Sequence, residues 1–245
     1  MKPLPALLAA TLLMSTSIPS TLAATQATPP DVAKKPHVVT APFGAQRQDE
    51  YYWLRDDTRT NPQMLDYLKA ENAYADAVLA PLKPLQDTLY KEIVARIKQD
   101  DASVPYRERG YWYYTRFETG KDYPVHARRK GSMEAPEEVM LDVNALADGK
   151  GYYSVGTWDV SQDNRLLAYA DDAVGRRQYT IRFKDLSTGQ VLPDQIPGVS
   201  PDVVWADDNK TLFYVENDPE TLLTVRVKKH VLGTPVAQDT LVYEE

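Results

Sequence analysis

Cysteine is absent from all 245 residues, which excludes disulfides, thiolate metal sites and a cysteine nucleophile. Histidine is scarce. The three present, His37, His126 and His230, lie far apart, and none has a second histidine or a carboxylate at helix-ligand spacing, so no metal site is expected. Neither a G-x-x-x-x-G-K-[ST] loop nor a G-x-G-x-x-G segment occurs, and no nucleotide or other cofactor is expected. A nucleophile elbow is missing too, because Gly131-Ser132, Gly156-Thr157 and Gly198-Val199-Ser200 all fail the G-x-S-x-G pattern. Positive charge is in deficit, with 28 Lys and Arg against 35 Asp and Glu and a formal net charge of −7. Phosphate backbones select basic surfaces, so a nucleic acid is not the expected partner.

Apolar runs long enough to cross a membrane are also lacking. The stretch from Leu4 to Ile18 falls short of the ~20 residues a spanning helix needs. It lies between Met1-Lys2 and the small residues Thr21-Leu22-Ala23-Ala24, the three-part pattern of a secretory signal peptide. Residues 1–24 are therefore expected to be removed on export, which places the mature chain in the periplasm or outside the cell, without membrane contact. No cysteine at the cleavage point is available for lipid attachment. Residues 25–35, rich in Pro, Ala and Thr, read as a disordered lead-in.

Residues 36–103 read as a helical segment. The run Tyr51-Tyr52-Trp53-Leu54 reads as extended and too apolar to stand in water unaided. Asn61 suits an N-cap and Pro62 the first helical position, with Leu65, Leu68, Asn72, Ala75 and Leu79 on one stripe widened by Met64 and Val78. Pro81 is expected to end this helix, and a second over Leu85 to Lys98 carries Leu85, Leu89, Ile93 and Ile97 at i, i+4 spacing. A hairpin across Pro81 to Pro84 would hide only part of these faces. A partner surface is implied, either the β-rich part of the same chain or a further domain.

From about Val104 the pattern changes to short alternating strands separated by Gly, Asp and Asn. Asp163-Asn164-Arg165-Leu166-Leu167-Ala168-Tyr169 repeats as Asp208-Asn209-Lys210-Thr211-Leu212-Phe213-Tyr214, an offset of about 45 residues. Four short strands per repeat at that period indicate propeller blades; an evenly spaced β-sandwich is the competing arrangement. The fold class is therefore mainly β with an amino-terminal helical segment, residues 104–245 forming about three blades of an incomplete β-propeller. Such an open arc leaves an end face uncovered, and alternate positions among Trp205, Leu212, Phe213, Tyr214 and Val225 are expected to point outward. Each Asp-Asn pair is expected to close a tight hairpin through a left-handed Asn.

Adjacent carboxylates occur at Asp56-Asp57, Asp100-Asp101, Asp171-Asp172 and Asp207-Asp208. Acids in turns are normally solvated, and no catalytic role is assigned to them. The pair Arg176-Arg177 suits either a neighbouring carboxylate or a peptide. No substrate-binding residue is assigned.

The segments YYWLRDD and LDYLKAENAYADAVLAPLKPLQDTLYKEIVARIKQDDASVPY, followed by YWYYTRF, LDVNALADG, VSQDNRLLAYADDAVGRRQYTIRFKDLSTG and VVWADDNKTLFYVENDPETL, resemble the amino-terminal region of oligopeptidase B in the prolyl oligopeptidase family. The resemblance covers about residues 34–245. It implies a serine peptidase that cleaves short peptides after Arg or Lys, built from an α/β-hydrolase domain and a seven-bladed propeller that gates substrate access. The family's Ser, Asp and His belong to the hydrolase domain, so no catalytic residue can be carried onto this chain, which is expected to be inactive alone. The implied partners are short peptides and the hydrolase domain, on whose outside the helical segment packs. The chain ends on what reads as a last blade strand, which favours a fragment of such an enzyme over the alternative, a self-contained periplasmic binding or interaction module.

Overall fold

The computed structural model describes residues 27–245. The expected signal peptide, 1–24, and the first two residues of the lead-in lie outside the described residues. The chain divides into two compact units between Arg96 and Ile97.

In the first unit, β1 (Val38–Thr40) and β2 (Gln46–Gln48) form a short antiparallel hairpin. The segment expected to be a disordered lead-in is tied down at its end: the Trp53 indole N–H donates to the Ala33 carbonyl at 2.7 Å, and Lys35 N–H donates to the Glu50 carbonyl at 2.9 Å. Rather than extending, Tyr52–Leu54 form one turn of 3-10 helix. That turn stacks Tyr52 on His37 with ring centres 3.9 Å apart and sets Trp53 edge-on to Tyr67 at 5.9 Å. Local aromatic pairing thus shields part of the run.

Helix α1 (Pro62–Leu79) starts as its sequence requires, with the Asn61 side chain accepting from the N–H groups of Gln63 and Met64. Helix α2 (Lys83–Ala95) follows without the expected hairpin. Ala80 (φ −49°, ψ −41°) and Lys83 (φ −53°, ψ −44°) stay in the right-handed helical region, joined through a 3-10 turn over Ala80–Leu82. Each proline occupies an early position of its helical turn, where the missing N–H leaves no carbonyl unsatisfied. Without a reversal the two apolar stripes do not cover each other. Met64 is the one buried residue of α1, and α2 has none.

The second unit begins at Ile97, earlier than the boundary expected near Val104, because residues 101–103 already pair with a strand. Ser103 N–H donates to the Thr115 carbonyl and Phe117 N–H to the Asp101 carbonyl, both at 2.8 Å. The first sheet has four antiparallel strands in sequence order, β3 (Tyr106–Glu108), β4 (Tyr111–Arg116), β5 (Val125–Lys130) and β6 (Glu137–Asp142). Helix α3 (Val143–Ala147), capped by the Asp142 carboxylate, leads out of it.

A second sheet runs through β7 (Ser154–Val160), β8 (Leu166–Asp172), β9 (Tyr179–Asp185), β10 (Val191–Trp205), β11 (Thr211–Asn217), β12 (Thr224–Val231) and β13 (Thr240–Glu244), each strand antiparallel to the next. Its seven strands are two blades sharing β10. The first half of β10 pairs with β9, as in Ile196↔Ile181, and the second half with β11, as in Trp205↔Leu212. Val199 pairs both ways, opposite Tyr179 and opposite Glu216, with register shifts on either side. Gly156 permits the approach of β7 to this bend, since a Cβ there would lie 2.5 Å from Pro201 Cβ and 2.8 Å from the Tyr179 ring.

The three blades form a partial propeller, and among the described residues the sheets do not close a ring. Asn164 (φ 63°) and Asn209 (φ 57°) adopt the left-handed conformation expected of the repeated turns. They also join neighbouring blades. The Tyr113 hydroxyl donates to Asn164 Oδ1 at 3.3 Å, and Asp163 N–H donates to Asn209 Oδ1 at 2.8 Å. One core cluster, with Tyr113, Met140, Leu167 and Tyr169, joins blades one and two; another, with Ile181, Phe183, Ile196, Trp205 and Leu212, joins two and three. Of the residues expected to alternate outward on the last blade, Trp205, Leu212 and Tyr214 are buried in that cluster while Phe213 and Val225 are half-buried. The exposed large apolar side chains there are instead Val204, Leu223, Val231, Val236, Leu241, Val242 and Tyr243.

Candidate functional site

A groove of the second unit, about 430 Å³, lies against the first blade between residues 98–105 and the face bearing Tyr114, Arg116, Arg129 and Glu137. Alternation along β4 and β5 puts these side chains on the face opposite Tyr113 and Arg128. Glu137 accepts from Arg116 at 2.9 Å and from the Tyr114 hydroxyl at 2.5 Å, and Arg129 Nε donates to the same hydroxyl at 2.9 Å. The Arg116 guanidinium holds the Glu137 carboxyl below its usual range, and Glu137 in turn raises Arg116. Asp101 is lowered by its hydrogen bond from Lys98. These charges are matched within the groove, and none is left poised to give or take a proton.

The carboxylate pairs fall into two kinds. Asp56, Asp101 and Asp208 organise turns. Asp56 is lowered to about 2 by the Thr58 hydroxyl and by N–H groups of Asn61, Thr60 and Thr58, while Asp208 is lowered first by the Thr211 hydroxyl. Asp171 and Asp172 differ from the solvated acids expected, for both are buried. Asp171 accepts from Arg182 Nε at 2.9 Å and from the Tyr153 hydroxyl at 2.8 Å. Asp172 accepts from three backbone N–H groups, those of Val174, Gly175 and Arg177, at 2.7, 2.8 and 3.0 Å. Their partners lie across strands or inside a loop, where sequence spacing carries no signal of them.

The histidines do not meet one another. His37 stacks on Tyr52 in the first unit. His126 Nδ1 lies 3.0 Å from Thr115 Oγ1, with Trp158 beside the ring and burial lowering its pKa. His230 is buried, with Nδ1 2.8 Å from Asp239, whose other oxygen accepts from the Tyr214 hydroxyl. Serine hydroxyls turn to local acids instead, Ser161 to Asp163, Ser187 to Asp185 and Ser200 to Asp202. Among the described residues no serine is paired with a histidine and no group of His, Asp and Glu could hold a metal ion.

Four-stranded blades side by side, without a closed ring among the described residues, define an incomplete β-propeller. Comparison with known proteins agrees in detail. The family described as prolyl oligopeptidase, N-terminal beta-propeller domain, matches residues 30–245. Dipeptidyl aminopeptidase BI of Pseudoxanthomonas mexicana is 69% identical over 100% of this chain and 36% of its own length. Protease 2 of Moraxella lacunata is 34% identical over 82% of this chain and 30% of its own. The structure of oligopeptidase B from Leishmania major superposes with a TM-score of 0.85 at 36% identity, covering 89% of this chain and 33% of that one. The chain belongs to the prolyl oligopeptidase family, of which it represents the amino-terminal propeller region. It spans about a third of the length of these relatives.

Proposed function

We propose that this chain is the non-catalytic amino-terminal portion of an exported oligopeptidase B-like serine peptidase that cleaves short peptides after Arg or Lys, its propeller gating access to a hydrolase domain. The observation that carries the reading is the uncovered helical stripe. Leu85, Leu89, Ile93 and Ile97 are 56%, 48%, 56% and 57% exposed. Leu85, Leu89 and Ile93, three large aliphatic side chains on one face of α2, promote association, and the relatives' greater length supplies chain that could cover them, while Ile97 lies past the helix end in the second unit. Hydrolysis of a chromogenic arginyl peptide is the test. The chain alone is expected to give no turnover, because it brings together no groups to form or stabilise an acyl-enzyme; adding the segment with the G-x-S-x-G serine is expected to restore it. Turnover by the purified chain, with an active-site phosphonate labelling one of its own serines, overturns the reading.

Export forms part of the same proposal and rests on residues 1–24. Amino-terminal sequencing of secreted protein is expected to start near Ala24 or Thr25, and an intact Met1 overturns it.

A further inference from the structure

The loop over residues 173–178, between β8 and β9, presents two adjacent arginines that the proposed activity does not use. Arg176 and Arg177 make no ion pair among the described residues, although Asp171 and Asp172 precede them closely in sequence. Both acids are already committed. Asp171 is neutralised by Arg182, and the buried Asp172 carboxylate is turned inward onto the N–H groups of Val174, Gly175 and Arg177. The four charges of Asp171, Asp172, Arg176 and Arg182 cancel, which leaves Arg177 in excess at the loop surface.

The loop is also held in a costly shape. Arg177 has φ 58°, a left-handed conformation uncommon outside Gly and Asn, and its N–H is fixed there by Asp172. Strain of this kind persists where the surroundings over-determine it and collects at ligand-binding positions. Arg176 is half-buried, and its Nε is shielded from water with no acceptor. With Nε shut off from solvent, the terminal nitrogens of Arg176, which hold no hydrogen bond among the described residues, are the donors left to meet an anion.

We propose that residues 172–177 form a preorganised carboxylate site, with Arg176 and Arg177 as its donors and Asp172 as the positioning residue. The carboxylate is either the free carboxy terminus of a peptide or an acidic side chain of a protein surface. The proposal stands apart from the peptidase assignment, since binding is read on this chain without turnover.

The test is titration of the isotopically labelled chain, followed by amide chemical shifts. The probes are an N-acetylated, otherwise uncharged tripeptide as its free acid, the same peptide as its amide, and an amidated peptide with one internal Glu. Saturable shifts confined to residues 172–178 are expected with the free acid, and binding about tenfold weaker with the amide, the ratio expected for one charge-assisted hydrogen bond. Arg176→Gln and Arg177→Asn are each expected to weaken acid binding about tenfold; Asn accepts the left-handed backbone at 177, so the loop is kept. Arg177→Lys is expected to fall between, having charge without the planar fork. Equal binding of the internal-Glu peptide assigns the site to acidic side chains, and binding of the free acid alone assigns it to peptide termini. No saturable shift with either carboxylate, or equal response to acid and amide, overturns the proposal.

Discussion

Phe183→Ala is expected to destabilise the second unit by about 3–5 kcal/mol, the range for truncating a fully buried phenylalanine. Phe183 is 0% exposed, meets the Trp205 ring edge-on at 5.7 Å and stacks on His230 at 5.9 Å. It therefore links β9, the end of β10 and β12, and the cavity left would lie where two blades meet. Strands on three sides are fixed by ladder hydrogen bonds and cannot move inward to fill it. Urea unfolding followed by tryptophan fluorescence measures the loss. Phe183→Leu is expected to cost less than half as much, and a loss below about 1 kcal/mol for Ala would show that the site collapses freely.

Asp172→Ala is expected to cost about 2–4 kcal/mol. The substitution removes an acceptor shared by three N–H groups, and hydrogen bonds to a charged group contribute about 1.5–3 kcal/mol each. The sum is not reached because the loop is exposed at Val174, Gly175 and Arg177, where water replaces part of what is lost. Arg177 would also be free to leave its left-handed conformation, which offsets a further fraction. Hydrogen exchange at 174, 175 and 177 is the sharper measurement. Exchange should accelerate at all three positions together, and unchanged protection would show that Asp172 does not hold the loop.

The blades were legible because their signals are local. Asp163-Asn164 and Asp208-Asn209 announce tight turns through a residue type that tolerates positive φ; of the strands that follow, β11 begins with period-two alternation while β8 is buried almost throughout. The length of β10 was hidden because Pro193, Pro197, Gly198 and Pro201 read as breakers. The strand absorbs them through register shifts around Val199. Pro81 ends α1 at Leu79 as its position required, but Pro81 and Pro84 do not turn the chain back, since each sits early in a new helical turn whose φ it already matches. Strand β3 is three residues long, too short for any periodicity to show. The burial of Asp171 depends on Tyr153, from the connection before β7, and Arg182, from β9. Sequence spacing cannot display that kind of neutralisation, and it is what leaves the arginines at 176 and 177 without an acid.

The strand shared by two blades determines where the polypeptide could be cut. A break in the connection over residues 148–153, after α3, would separate blade one from a sheet that keeps all its rungs. A break near Val199 would instead leave each half of β10 on its own blade but undo the one residue that pairs with both Tyr179 and Glu216, so the two blades would lose the backbone that holds them in register with each other. Split halves, permuted termini or inserted reporters would thus be tolerated on the near side of β7 and not within β10. In this architecture the second and third blades are one piece of fabric folded at a crease, and the first is sewn on.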